Sequence, residues 1–181
     1  MQPDRPIAKW LSPLRSAARG ARRAGLKLRV PGTFTAGKDF AIGRRSAILC
    51  PDFFEAGERV HIGQDFLCEV NARIGNDVLI SSFVRFIGND HLFDEAGVTV
   101  FSSTRAATAC QVLEGDNLIG NGTIVLGNVT IGRGVIVGAG SLVTRDLPPN
   151  WICLGRPAKP VRKRFPDLNG QPIVCQHEGG R

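Results

Sequence analysis

Residues 119–164 read IGNGTIVLGNVTIGRGVIVGAGSLVTRDLPPNWICLGRPAKPVRKR, and an aliphatic side chain recurs there at every sixth position. The recurring residues are Ile119, Val125, Ile131, Val137 and Val143. Neither an α-helix nor an ordinary β-strand has this period, since theirs are about 3.6 and 2 residues. The spacing therefore indicates a repeat architecture in which each group of six residues, a hexad, is one structural unit.

The same register extends towards the N-terminus. Aliphatic or small residues continue it in three blocks, from Val30 to Ile48, from Ala56 to Phe86 and from Leu113 to Val143, which make sixteen hexads. The fifth place of most hexads is also small or branched. Two inward positions in every six residues predict short strands joined by tight corners, with three hexads in each coil of a triangular prism. We therefore expect an all-β fold, a parallel β-helix of about five coils.

Composition excludes several classes of protein. The sequence has no run of about 18 apolar residues, so no transmembrane helix is expected. Five cysteines at irregular spacings, without a CxxC pair, argue against a disulfide framework and against structural zinc. A reducing cytoplasm is the simplest location, and no signal peptide is recognisable at the N-terminus.

The net charge of +7 is concentrated at the ends of the chain. Residues 1–30 carry eight Lys/Arg and one acid, whereas residues 31–154 carry nine Lys/Arg against thirteen acids. A second basic cluster begins at Arg156. No basic groove with interleaved aromatic residues is visible, so a nucleic-acid partner is not expected.

The N-terminal segment differs from the repeat. Ser12 and Pro13 form an N-cap followed by a proline at the first helical position, and a stripe of leucine and alanine with helical spacing follows up to Leu28. The pattern predicts a short surface helix that packs on the body. Contact of residues 9–29 with an anionic membrane surface or with a lipid-linked substrate is the alternative interpretation. We divide the chain into this extension (1–29), the repeat (30–147) and a basic C-terminal segment (148–181).

The segment from Ile131 to Arg162, IGRGVIVGAGSLVTRDLPP…GRPAKPVR, resembles the hexapeptide-repeat acyltransferases, in particular the galactoside and maltose acetyltransferase branch and the polysaccharide O-acetyltransferases. The resemblance covers about residues 30–164. It implies that the β-helix is left-handed, which the hexads alone do not show because right-handed crossovers are the general rule. It also implies a homotrimer with active sites between neighbouring prisms.

An extended loop interrupts the repeat at residues 88–111 and has His91 at its base. A long loop in so regular a scaffold is usually functional. The resemblance implies that His91 is the catalytic general base, which would remove the proton of an attacking hydroxyl. Asp90, Asp94 or a backbone carbonyl could each orient its imidazole, and the sequence leaves this open.

The acyl donor implied by the resemblance is acetyl-CoA, with no metal. Residues 138–141, Gly-Ala-Gly-Ser, have little side-chain bulk, so a long thin pantetheine arm could lie against their backbone. The positions that match coenzyme A contacts of the family are Asn121, Ala139, Thr144, Arg145, Lys159 and Arg162. Arg and Lys pair well with phosphate groups, which accounts for the second basic cluster.

The acceptor site matches the family less well. Glu69 falls where the galactoside branch has a substrate-binding aspartate, and His61 falls where it has an asparagine, although His61 could equally be a corner residue of a coil. Leu118 replaces a tryptophan that commonly lines the donor channel, and Asn117 takes an inward position usually held by valine.

The expected function is therefore transfer of an acetyl group from acetyl-CoA to a hydroxyl of a sugar, a polysaccharide or a lipid-linked glycan precursor. An antibiotic O-acetyltransferase is the alternative, and a non-catalytic structural β-helix subunit is a remote one. A zinc carbonic anhydrase would need three converging histidines. The chain has three, His61, His91 and His177, of which the last is in a Gly-rich tail, so this class is not expected.

Overall fold

The structure, a computed structural model, describes residue 25 and residues 29–166. Within residues 29–166 the chain winds into coils of three short strands. The predicted N-terminal helix lies, apart from residue 25, outside the described residues, and so does the tail that contains His177. Among the described residues no helix is long and apolar enough to cross a membrane.

Five complete coils follow one another, and a partial sixth closes the structure. The strands are, in chain order, β1 (Thr33–Ala36), β2 (Ala41–Ile42) and β3 (Ala47–Ile48); β4 (Phe53–Ala56), β5 (Val60–Ile62) and β6 (Leu67–Cys68); β7 (Asn71–Ile74), β8 (Val78–Ile80) and β9 (Arg85–Ile87); β10 (Cys110–Leu113), β11 (Leu118–Ile119) and β12 (Ile124–Leu126); β13 (Val129–Ile131), β14 (Ile136–Val137) and β15 (Leu142–Val143); then β16 (Trp151–Gly155) and β17 (Ala158–Lys163).

The strands assemble into three parallel sheets, which we call faces 1, 2 and 3 of the prism. Face 1 has the order β1-β4-β7-β10-β13, and face 3 has the order β15-β12-β9-β6-β3. Face 2 runs β17-β16-β14-β11-β8-β5-β2, in which only the β16–β17 pair is antiparallel. This order agrees with the predicted left-handed parallel β-helix of about five coils.

The predicted hexad positions stack in three internal columns. Ile42, Ile62, Ile80, Ile119 and Val137 are Cα partners in successive strands of face 2. The corresponding columns on the other faces run from Ala36 to Ile131 and from Ile48 to Val143. All sixteen predicted positions except the half-buried Ala36 are buried. The predicted register is confirmed, and the side chains at these positions form the core of the coil stack.

Two inward positions hold amides instead of apolar side chains. Gln111 is fully buried, and its Nε2 donates to the carbonyls of Ile87, Val125 and Gly127. Asn117 donates from Nδ2 to the Gly132 carbonyl at 2.8 Å and accepts from the Gly115 amide at 3.0 Å. Amides that bond carbonyls of neighbouring turns tie successive coils together. Asn117, which replaces the usual valine, is thus accommodated within the coil stack.

Charged pairs connect the corners of successive coils on the outside. Arg45 and Arg59 both have a positive φ, of 55° and 54°, and each donates to an aspartate one coil further on, Asp65 and Asp77 respectively. The paired guanidinium group lowers the pKa of each aspartate, chiefly through the hydrogen bond. These pairs are exposed, so they fix the corners rather than supply much stability.

Candidate active site

The long loop leaves the prism at the end of β9 and returns at the start of β10, so it comprises residues 88–109. Its two ends run antiparallel to each other. His91 and Arg105 form a β-bridge, the Leu92 amide donates to the Thr104 carbonyl at 2.8 Å, and the Ala106 amide donates to the Asp90 carbonyl at 3.0 Å. This short ladder, which we call the stem, holds His91 at the base of the loop.

The His91 ring is half-buried and is oriented by the opposite side of the stem. Its Nδ1 lies 3.0 Å from the backbone carbonyl of Ser103 and 3.4 Å from the Ser103 hydroxyl. Because a carbonyl can only accept, the neutral ring donates its proton from Nδ1 and keeps the lone pair on Nε2. Of the three groups left open by the sequence, the backbone carbonyl is the one within hydrogen-bonding distance. Asp90 and Asp94 are exposed.

A cavity of about 290 Å³ lies beside the stem. The residues that line it are Leu49, Glu69, Ile87, Gly88, Asn89, Asp90 and Arg105. Glu69, predicted as a substrate-binding residue, is thus brought to the loop base, next in space to the residues that precede His91. Within residues 29–166, the side chains of Glu69, Asp90 and Arg105 take part in no ion pair. The carboxylates of Glu69 and Asp90 are therefore open to a ligand with hydroxyl groups, whereas the Arg105 guanidinium already donates to the Asn89 carbonyl.

The predicted donor residues Asn121 and Ala139 lie one above the other at the corner between faces 2 and 3. The Gly140 amide donates to the Asn121 carbonyl at 2.7 Å. A Cβ at Gly120 would be 2.4 Å from the Ala139 nitrogen, so the two turns stack with no room for a side chain between them. Both residues are exposed. The surface between these two turns is therefore formed mainly by backbone.

The hairpin of β16 and β17 packs on the same corner. Its Gly155 amide donates to the Ser141 hydroxyl at 3.3 Å, and that hydroxyl donates to the Gly138 carbonyl at 2.7 Å. Leu154, the ladder partner of Lys159, lies over Gly138 so closely that a Cβ there would be 2.8 Å from the leucine Cβ. These contacts hold the hairpin, which carries Lys159 and Arg162 on its second strand, at this corner.

The remaining predicted donor residues, Thr144 and Arg145, lie elsewhere. They follow β15 and are exposed at the corner between faces 3 and 1, which is the corner where the long loop leaves the prism. The predicted set is thus divided between the two edges of face 3. Leu118 is 36% exposed on the outside of face 2, in the strand that leads to Asn121.

Other titratable groups fall outside this region or lack reactivity. Cys50 and Cys68 are buried with their Sγ atoms 3.4 Å apart, and burial raises the pKa of the Cys68 thiol. A protonated buried thiol is a poor nucleophile. His61 lies in the middle of β5 rather than at a corner. Among the described residues no three His, Cys, Asp or Glu side chains are grouped to hold a metal ion.

Sequence reasoning missed Ser103, Asn89 and Arg105. The sequence contains no periodic signal within the loop, so the pairing of its two ends could not be predicted. The signal for Asn89 was its position two residues before the histidine, in Gly88-Asn89-Asp90-His91.

Comparison with known proteins finds a family model that matches part of the coiled region of this chain. Residues 112–145 match the family model described as bacterial transferase hexapeptide (six repeats). This stretch therefore carries the hexapeptide repeat that the family model describes. The match covers coils four and five, which include Asn121, Ala139, Thr144 and Arg145.

Two curated relatives are galactoside O-acetyltransferases. That of Escherichia coli strain K12 is 28% identical over 131 residues, which are 67% of this chain and 63% of the relative. That of Lactococcus lactis is 32% identical over 131 residues, 65% of this chain and 60% of the relative. The chain therefore spans less than two thirds of the length of either relative.

Among solved structures, a hexapeptide-repeat-containing acetyltransferase of Vibrio cholerae complexed with acetyl-coenzyme A superposes with a TM-score of 0.56. The identity is 22%, and the alignment covers 80% of this chain and 76% of that one. At this identity the likeness shows the shared fold.

Proposed function

We propose that the chain is an O-acetyltransferase that uses acetyl-CoA and acetylates a hydroxyl of a sugar, as part of a polysaccharide, a glycoside or a lipid-linked glycan precursor. The observation that carries the proposal is the His91 ring at the base of the loop, with Nδ1 bonded to the Ser103 carbonyl and Nε2 left as the basic nitrogen. His91 directly follows Asp90, which lines the cavity. The names of the two curated relatives and the acetyl-CoA of the Vibrio structure support the same reaction class.

In the proposed reaction, His91 Nε2 accepts the proton of the acceptor hydroxyl. The hydroxyl oxygen then forms a bond to the thioester carbonyl carbon, and the bond from that carbon to sulfur breaks as the tetrahedral intermediate collapses. The protonated His91 returns its proton to the departing thiolate. The Ser103 carbonyl would stabilise the imidazolium through Nδ1 and leave Nε2 to carry the transferred proton. General-base catalysis of this kind typically contributes about 10²–10⁴-fold.

The donor would lie along the corner between faces 2 and 3. Asn121 and Ala139 present backbone and little side chain to a pantetheine arm, and Lys159 and Arg162 would pair with the phosphate groups at the hairpin. Thr144 and Arg145 would contact the donor from the far edge of face 3. This assignment is supported by the packing of the hairpin on Ser141 and Gly138.

The acceptor would occupy the cavity beside the stem. Its volume of about 290 Å³ is at the lower end of the range for small-molecule sites. Glu69 and Asp90 would accept hydrogen bonds from sugar hydroxyls, and Arg105 would donate them. The absence of an ion pair at Glu69 and Asp90 within residues 29–166 supports this role, because carboxylates accept hydrogen bonds from hydroxyl groups.

A homotrimer is the proposed assembly. The loop exposes Phe93 and Phe101 by 83% and 97%, and the outside of face 2 presents a stripe of Leu79, Leu118 and Ile136 in register. Exposed apolar surfaces of this kind are typical of protein contacts. Light scattering on the purified protein would test the trimer, and a monomer at working concentration would contradict it.

The experiment that tests the function is an acceptor screen. Purified protein is incubated with acetyl-CoA and a panel of glycosides, oligosaccharides and hydroxylated antibiotics, and products are identified by mass spectrometry. A gain of one acetyl group on a sugar hydroxyl is expected. Acetylation of antibiotics alone would support the xenobiotic alternative, and no acetylated product with any acceptor would contradict the proposal.

A further inference from the structure

Asn89, two residues before His91, joins three separate parts of the chain through its side chain. Its Nδ2 donates to the Glu69 carbonyl at 2.9 Å, and its Oδ1 accepts from the Ala109 amide at 3.1 Å. Glu69 lies in the corner that follows β6, one coil earlier, and Ala109 is the last residue of the loop. One amide group therefore ties the beginning of the loop to its end and to the coil below.

The backbone of Asn89 is held as well. Arg105 donates from its guanidinium to the Asn89 carbonyl at 2.9 Å, and Arg105 is also the β-bridge partner of His91. Asn89 and Arg105 thus form a clamp across the first residues of the stem. Both line the cavity next to Glu69.

Other asparagines at the corners make simpler contacts. Asn76 accepts from the Glu58 amide at 2.8 Å, and Asn128 accepts from the Cys110 amide at 2.8 Å. Each of these bonds connects one coil to the next, as repeated structural contacts do. Asn89 differs from Asn76 and Asn128 because its two bonds reach the last residue of the loop that carries the proposed base and the coil beneath that loop.

We propose that Asn89 is a positioning residue, which sets the position of His91 Nε2 relative to the acceptor cavity. This inference rests on the proposed function. Asparagine suits the role because it supplies a donor and an acceptor on a short side chain. An aspartate would retain the acceptor for Ala109 but would place a second oxygen against the Glu69 carbonyl, and an alanine would lose both bonds.

The test compares Asn89→Ala and Asn89→Asp with Asn76→Ala as the matched control. A misplacement of about 1 Å can cost about 10²-fold in rate. We therefore expect Asn89→Ala to lower kcat by about 10- to 100-fold and Asn89→Asp by about tenfold, with KM for acetyl-CoA within about threefold of wild type. Asn76→Ala should keep the wild-type kcat. Far-UV circular dichroism and melting temperature are measured for each variant, and the isosteric Asn89→Asp serves if Asn89→Ala fails to fold.

A double-mutant cycle with His91→Ala separates positioning from a general structural effect. If Asn89 acts through His91, then adding Asn89→Ala to His91→Ala causes no further loss of the residual rate. The inference is overturned if the Asn89 variants keep a kcat within about twofold of wild type, or if Asn89→Ala lowers the residual rate of His91→Ala by the same factor as it lowers that of wild type. A wild-type protein without turnover would instead overturn the proposed function, and this role with it.

Discussion

Replacing Lys159 and Arg162 by alanine is expected to weaken binding of acetyl-CoA. Both side chains are exposed on β17, and within residues 29–166 neither takes part in an ion pair, so each is available to a phosphate group. Hydrogen bonds to charged groups contribute about 1.5–3 kcal/mol each. Because water competes at an exposed strand, we take the lower end, which corresponds to about tenfold per side chain.

The assay follows thiol release at varied acetyl-CoA concentration. Each single variant should raise KM for acetyl-CoA by about tenfold, and the double variant by about 100-fold if the two effects add. The value of kcat should stay within about threefold, because the proposed contacts of these residues are with the donor phosphates and not with the reacting carbonyl. Raising the salt concentration should weaken wild type more than the double variant.

Lys163→Ala is the matched control on the same strand. Its ammonium group lies 4.6 Å from the centre of the Trp151 ring and is thereby engaged within the protein. It should leave KM for acetyl-CoA within about twofold. An unchanged KM in the Lys159 and Arg162 variants, or an equal rise in the Lys163 variant, would refute the assignment of these cations to the donor phosphates.

Three further changes test the fold and the site. Phe86 is fully buried in the column of face 3 and makes an edge contact with Phe66, with 5.2 Å between the ring centres. Phe86→Ala should therefore lower the free energy of unfolding, measured in urea, by about 3–5 kcal/mol. Phe86→Leu should lower it by less than about 1.5 kcal/mol. The pKa of Asp77 is lowered by its hydrogen bond with Arg59, so this pair stabilises the fold above the ordinary carboxyl pKa, and the stabilisation is lost as the pH falls through the depressed value. Asp77→Asn should therefore make the free energy of unfolding fall less steeply as the pH is lowered below about 4. Gly120→Ala should impair folding or donor binding, because its Cβ would meet the Ala139 backbone nitrogen; a wild-type melting temperature and KM would contradict the tight stacking of this corner.

The repeat could be predicted because its periodicity is local. Each hexad has an apolar residue at the same inward position, and this spacing recurs in every coil, so the column from Ile42 to Val137 could be predicted by counting alone. The predicted positions are confirmed by the strand register. Only the half-buried Ala36, in the first coil, departs from the pattern.

The site was less accessible to sequence reasoning. The position of His91 at the loop base followed from the interruption of the repeat, but its partner Ser103 is twelve residues away and is fixed by the stem. The stem depends on pairing between two irregular segments, which no period reveals. The amide bonds of Asn89 depend equally on the stacking of Glu69 beneath the loop. The roles predicted for Asn121, Ala139, Thr144, Arg145, Lys159 and Arg162 remain predictions.

The most direct test of the central claim is the rate of thiol release from acetyl-CoA by purified His91→Ala protein in the presence of a sugar acceptor. If Nε2 of His91 is the general base, the rate should fall by about 10²–10⁴-fold while KM for acetyl-CoA changes little. A rate equal to that of wild type would contradict the account.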